Sequence, residues 1–332
     1  MWLSFPNGYC KSVIWQIDCG GTKHAVCREM AMSATESVSL VAGDLDAVFW
    51  PTAGLLGVSF RHRGAELLRR IDDLGGARAK GNTVGIPLLY PWANRLASLR
   101  YCAAGRDVVL DPASPLLHFD DHGLSMHGVP WGQLAWEIVE ARQDSFLARL
   151  DWDRPELLAV FPFPHTVKIK ATLNLDSLTL RTEVSADGGS SVPISFGFHP
   201  YFGIPQLPRA QWRLELPTMH RLPRDSRGIP TGAQESFGRL ESLLGDNDFD
   251  DGFALFDEPC SFSLSGAGRR ITISFLEGFP YAQVFAPKGK DFIALEPMTA
   301  PTDALISGHG LRVLEPGAQF RAAFRISVHS VS

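Results

Sequence analysis

Two residues in this chain set a titratable side chain in apolar surroundings. Glu296 ends the run DFIALEP, and His199 lies between Phe198 and Pro200 in ISFGFHPYFGIP. A carboxylate at the mouth of a buried strand is either hydrogen-bonded within the fold or part of a site, because burying it unpaired is expensive. An imidazole in such a run is either a packed core residue or one aimed at a substrate. If the two belong to one site, the chemistry open to them is proton transfer near neutral pH.

Further stretches place polar residues among aromatics and turns. GIPLLYPWANRL presents Asn94 and Arg95, and SMHGVPWGQLAWEI presents His127 ahead of Trp131 and Trp136. YAQVFAP contributes Gln283. Arg95 reads equally as a surface ion-pair donor, and the two tryptophans as core. GDNDFDDGFALF sets Asp246, Asp248 and Asp250 at alternate positions, which invites calcium. An EF-hand loop needs Gly at position 6 and Glu at position 12, where this chain has Asp251 and Asp257. No metal is expected.

The elements that must position these groups read as strands. Runs such as SVSLVAG, LLGVSFRH, CSFSLSGAGRRITISF and FRAAFRISVHS are rich in β-branched and aromatic residues and are bounded by turn clusters. In TVKIKATLNLDSLTLRTEVS apolar and polar residues alternate, as strands with one buried face require. SFGRLESLLG is the best short helix candidate. With 31 glycines and 23 prolines punctuating the strands, the expected fold is all-β, a large antiparallel β-sandwich. Residues 1–34 carry no clear period and are expected to form an extension outside the fold, arising from an upstream start codon. Residues 35–332 are expected to form a single domain.

Composition narrows the partners. A net charge of −5 disfavours nucleic acid and anionic membranes, so the expected ligand is small or neutral. The five cysteines form no CxxC pair, which fits thiols of a reducing compartment. The opening segment lacks a basic n-region and the longest apolar runs are too short to span a bilayer, so a cytoplasmic location is expected.

Taken in order, GIPLLYPWANRL, HGVPWGQLAW, FPFPHTVKIKATLNLDSLTLRTEVS, SFGFHPYFGIP, DFDDGF, YAQVF and ALEPMTAPTDAL resemble the aldose 1-epimerase (galactose mutarotase) family over about residues 37–328. The resemblance implies a supersandwich with a sugar cleft on its concave side, an aldose substrate, no cofactor, and a monomer or homodimer. It assigns Glu296 as general base, His199 as general acid and His127 as a second histidine near the ring oxygen. Asn94, Arg95 and Gln283 match residues that contact sugar hydroxyls. Asp250, from its spacing to Phe253, matches an acid on the far side, with the adjacent Asp251 as the alternative. Trp131 is a candidate for covering an apolar sugar face.

Exchanging one anomer of a pyranose for the other requires opening the hemiacetal, with a base at the C1 hydroxyl and an acid at the ring oxygen. Each contributes about 10²- to 10⁴-fold. An ionised Glu296 and a protonated His199 meet that need, and the field of an acidic site is expected to keep His199 charged near neutrality. A hexose-6-phosphate 1-epimerase is the nearest rival, with Arg61, Arg63, Arg69 and Arg70 as candidate phosphate donors. A glycosidase would need two opposed carboxylates. A non-catalytic sugar-binding or sensor protein on the same fold is the rival from another class.

Overall fold

The computed structural model describes residues 12–17, 23–28, 37–69, 75–76, 82–256 and 259–331. The chain divides into two compact units, Met1–Ser37 and Val38–Ser332. In the first, strands Ser12–Ile17 and Lys23–Arg28 pair as an antiparallel hairpin. The other residues expected to form the extension lie outside the described residues.

The second unit is an all-β, antiparallel sandwich. One sheet has nine strands, in the order Glu137–Ala141, Ser145–Trp152, His165–Leu173, Ser177–Ser185, Gln319–Ser330, Arg269–Glu277, Cys260–Gly266, Arg213–Leu216 and Leu240–Leu243. The alternation in residues 165–185 falls as two neighbouring strands whose inward residues, among them Val167, Ile169, Leu178 and Leu180, are buried. Each such side chain contributes about 1.5–3 kcal/mol on burial.

The other large sheet builds the site. Its strands are β1 (Leu88–Leu89), β2 (Gly197–Phe198), β3 (Tyr201–Phe202), β4 (Met219–Leu222), β5 (Glu235–Phe237), β6 (Phe249–Ala254), β7 (Tyr281–Ala286) and β8 (Ile293–Met298). They run β5-β4-β6-β7-β8-β2-β1, with β3 also paired to β8. Ala282, Val284, Ile293 and Leu295 belong to the same buried cluster as Phe324, Ile273 and Phe146 of the nine-stranded sheet. Because side chains alternate along a strand, the residues between them face the other way.

SFGRLESLLG is not a helix. Residues 235–237 form β5 at one edge of the site sheet, and Leu240–Leu243 forms an edge of the nine-stranded sheet by pairing with Arg213–Leu216. The segment crosses from one sheet to the other around Gly238. Its Leu240 and Ser242 pair with Leu216 and Leu214, a period of two that a four-residue apolar pattern conceals.

Candidate functional site

The register of three adjacent strands lines up the first half of the site. Gly252 of β6 lies opposite Gln283 of β7, and Gln283 lies opposite Glu296 of β8. All three therefore project from the face opposite the core. Gly252 leaves room for its neighbour, since a Cβ there would sit 3.2 Å from Gln283 Oε1. Asp250, two residues before Gly252, shares its face, and its Oδ1 accepts a hydrogen bond of 2.8 Å from Gln283 Nε2. Its other oxygen pairs with Arg224. Asp251 is on the opposite face of β6, 3.7 Å from Arg221, and burial raises its carboxyl while Arg221 and Arg224 oppose that rise. Strand parity thus brings Asp250, and not Asp251, to the cavity.

His199 follows β2, and its backbone N–H is held by the Pro87 carbonyl at 3.1 Å. Its Nε2 lies 3.1 Å from Glu296 Oε1. Both side chains are nearly inaccessible, at 5% and 1% exposure. Glu296 Oε2 has no hydrogen-bond partner among the described residues. A buried carboxylate oxygen left unpaired by protein donors is costly in an ordinary core and is an acceptor that a hydroxyl can reach in a site.

Across the cavity, strands Arg95–Leu96 and Ser125–Met126 pair, and the turn that follows presents His127. Asn94 and His127 both have positive φ, 58° and 64°, and clasp each other. His127 N–H donates to the Asn94 carbonyl at 2.8 Å, and Asn94 N–H donates to His127 Nδ1 at 3.2 Å. A backbone N–H can only donate, so Nδ1 accepts and the neutral ring carries its proton on Nε2. The next residue, Gly128, has φ +65°, and a Cβ there would fall 2.2 Å from the Tyr90 carbonyl oxygen. Tyr90 is itself anchored in the core, where its hydroxyl bonds His165 Nε2 and the other ring nitrogen of His165 bonds the Phe163 carbonyl.

Arg95 donates from Nε to Asp120 Oδ2 at 2.6 Å and from Nη1 to Asn94 Oδ1 at 3.2 Å. Asp120 also caps its own turn by accepting from the His122 and Leu124 N–H groups. Burial works against its charge, but Arg95 and these two donors hold its carboxyl below the usual range. The turn signature in DDHG was visible in the sequence, whereas its partnership with Arg95, 25 residues away, was not.

Asn94, Arg95, His127, His199, Asp250, Gln283 and Glu296 line one open-mouthed cavity of about 220 Å³. That is smaller than the roughly 300–1,000 Å³ of drug-sized ligand sites, so a small ligand is the one it suits. Four residues that sequence reasoning missed, His118, Thr83, Tyr201 and Phe285, complete much of the wall. Trp131 does not line it. Its indole is 3% exposed, packs with Ala53, Leu56 and Val84, and donates to the Asn82 carbonyl at 3.0 Å. Its core role follows from that packing, and its indole N–H holds the backbone of the wall residue Asn82. Among the phosphate candidates, Arg61 pairs with Glu66 and Asp46, and Arg63 with Asp44. Arg70 lies outside the described residues. Arg69 stacks over Phe292, 4.1 Å from its centroid, and lies 5.8 Å from that of Tyr201.

The electrostatics differ from expectation. Burial pushes His199 down to about 3 and lifts Glu296 well above the usual carboxyl range, the latter helped by Asp250 and opposed by Arg95. Complete desolvation outweighs the acidic field that was expected to keep His199 charged. Burial, together with His199, Arg95 and His118, also drives His127 well below its ordinary value, so it is a neutral donor. The two states of the central pair, carboxylate with imidazolium and carboxylic acid with imidazole, hold the same number of protons. Burial favours the second.

Among the described residues no cluster of three or more His, Cys, Asp or Glu could hold a metal, and no helix is long and apolar enough to cross a membrane. The uncharacterized protein YihR of Escherichia coli (strain K12) is 22% identical over 309 residues, covering 88% of this chain and 92% of that protein. A galactose mutarotase-like protein from Clostridium acetobutylicum superposes with a TM-score of 0.77 at 18% identity, covering 97% of this chain and 99% of that one. Galactose 1-epimerase from Lactobacillus acidophilus NCFM gives 0.69 at 13% identity, covering 98% and 100%. At such identities the solved structures speak for a galactose mutarotase-like fold alone. Residues 54–327 match the aldose 1-epimerase family itself, and over that span, most of its length, the chain belongs to the aldose 1-epimerase family.

Proposed function

We infer that the protein is an aldose 1-epimerase, interconverting the α and β anomers of free aldohexoses, and that the unit from Val38 onward carries the activity. The observation that carries this reading is the buried contact between Glu296 and His199 at one polar-lined cavity, with Glu296 Oε2 unpartnered among the described residues.

In this mechanism Glu296, as carboxylate, removes the proton of the C1 hydroxyl while His199 Nε2 gives its proton to the ring oxygen. The bond between C1 and the ring oxygen breaks, leaving an aldehyde at C1 and a hydroxyl where the ring oxygen was. Rotation about the C1–C2 bond presents the other face of the carbonyl. Reclosure returns each proton to its donor. No electrons are gained or lost, so the reaction as written uses no cofactor.

Ring opening leaves a carboxylic acid beside a neutral imidazole, which is the pair that burial favours. Burial therefore makes the carboxylate a stronger base and the imidazolium a stronger acid, and the pair reaches that reactive state from carboxylic acid and imidazole by moving the proton across its 3.1 Å contact. His127, donating from Nε2, suits the ring oxygen or a neighbouring hydroxyl. Arg95, Asn94, Gln283 and Asp250 suit the remaining hydroxyls, holding the sugar so that both transfers occur in a positioned complex.

Arg69, beside the cavity residue Tyr201, supports a second reading in which the aldose carries a 6-phosphate. A sugar sensor on the same fold would bind without catalysis. A cytoplasmic monomer or homodimer remains the expected setting. Comparing the equilibration of freshly dissolved α-D-glucose with that of its 6-phosphate tests the substrate. Acceleration of the free sugar is the expected result. Acceleration confined to the phosphate would move the assignment to the second reading, and saturable binding without acceleration would move it to the sensor.

A further inference from the structure

A catalytic histidine is ordinarily oriented through its second ring nitrogen, which bonds a carboxylate or a backbone carbonyl. His199 lacks that arrangement: its Nδ1 is buried and finds no hydrogen-bond partner among the described residues beyond its own backbone. Its imidazole is held by faces and edges instead. The Tyr201 ring stacks on it with centroids 4.3 Å apart and planes inclined by 16°. His127 and Phe285 meet it edge-on at 5.7 and 6.1 Å.

Tyr201 is itself fixed at both ends. Its backbone N–H bonds the Gly85 carbonyl at 2.9 Å, and its hydroxyl bonds Thr83 Oγ1 at 2.6 Å. Phe292 packs edge-on against its ring at 5.3 Å. The hydroxyl also lies 3.3 Å from His199 Nε2. Because the two rings are nearly parallel, that approach comes from above the imidazole plane and misses the lone-pair direction. The dominant contact is therefore ring on ring.

We propose that Tyr201 is the positioning residue of the acid, acting through His199: its stacked ring, in place of a hydrogen bond to Nδ1, keeps Nε2 directed at Glu296 and the sugar. The electron-rich face also favours the imidazolium over the neutral ring, partly offsetting the desolvation of the site. The charged or titratable groups that bear on His199 are Glu296 and His127 directly, with Arg95 and Asp250 acting through Glu296 and Arg69 lying beyond Tyr201. None of them stacks on the imidazole, so none can replace the phenol ring. The inference about catalysis rests on the epimerase reading, whereas the orientation of His199 can be measured without it.

The test compares wild type with Tyr201→Phe and Tyr201→Leu by ¹⁵N NMR of labelled histidine, by polarimetry, and by thermal unfolding to verify folding. Phe keeps the ring and loses the hydroxyl; Leu loses the ring. Tyr201→Phe is expected to keep the His199 ring shifts of wild type and kcat within about threefold. Tyr201→Leu is expected to show averaged Nδ1 and Nε2 shifts, kcat lower by about 10²-fold at near-constant KM, and an alkaline limb of the kcat profile moved acid-ward by about half a pH unit. If Tyr201→Leu does not fold, Tyr201→Met stands in for it. Unchanged His199 shifts in a folded Leu or Met variant would overturn the proposal, as would a loss in Tyr201→Phe equal to that in Tyr201→Leu. A wild type that leaves mutarotation unaccelerated while Tyr201→Leu alters the His199 shifts would sink the epimerase reading and leave the positioning role standing.

Discussion

Glu296 sits at 1% exposure with one oxygen against His199 and the other unpartnered. Such a carboxyl costs stability, and the sign of its pH dependence follows from burial. Its pKa is raised in the folded state, so its contribution is intact below the ordinary carboxyl value and is lost as pH rises through the folded value. Glu296→Gln keeps the shape and removes the ionisation. It is expected to raise the midpoint of thermal unfolding at pH 8 by a few degrees, with the gain shrinking toward pH 5. Calorimetry across that range checks this, and a variant no more stable than wild type at pH 8 would contradict it. At this scale much of the site was legible. Carboxylate, imidazole, amide and guanidinium stood out in apolar runs, whereas Tyr201 reads as one more core aromatic and Trp131 gives no sign of which side of the wall it is on. The pKa directions were not legible, because desolvation depends on neighbours brought in from distant segments.

At the scale of elements, two backbone devices place the side chains. The register of β6, β7 and β8 puts Asp250, Gln283 and Glu296 on one face, and a slip of one residue would send all three into the core. The turn after Ser125–Met126 presents His127 because Gly128 packs against Tyr90 in a left-handed conformation. Gly128→Ala must move either the turn or Tyr90, at a cost of about 1–3 kcal/mol. It is expected to lower activity at least tenfold with a depressed unfolding midpoint, and a fully active, equally stable variant would refute the role given to this turn. Long alternating strands such as His165–Leu173 were readable from their period. The short strands of two to four residues were not, because so few positions cannot establish a period. The Leu240–Leu243 strand shows the consequence, since its two leucines fit a helix as well as an edge strand.

For the molecule as a whole, the candidate site and the core lie on opposite faces of one sheet, so acid acts on the core that supports the site. His165, stacked on Trp152 and bonded to Tyr90, is pushed down to about 4 by burial. A depressed value means that its contribution is full above about pH 6.5 and is lost as pH falls toward 4, because the unfolded chain takes up the proton first. By pH 5 the loss from this residue is roughly 2 kcal/mol. His165→Gln, less stable than wild type at pH 7, is expected to close the gap by about that amount at pH 5 in urea unfolding. A gap independent of pH would count against the neutral buried histidine. The sandwich class was readable from composition and alternation together. The pairing of distant strands was not, because partners such as β6 and β7 are separated by two strands of the other sheet and meet in a register that no local pattern encodes.

The most direct test of the central claim is polarimetry of freshly dissolved α-D-glucose and α-D-galactose with the wild-type protein and with Glu296→Gln. Faster equilibration is expected with wild type, and a rate lower by about 10²- to 10⁴-fold with the folded variant. Equal acceleration by both proteins would contradict the assignment of Glu296 as the base, and no acceleration by wild type of either sugar would contradict the epimerase itself.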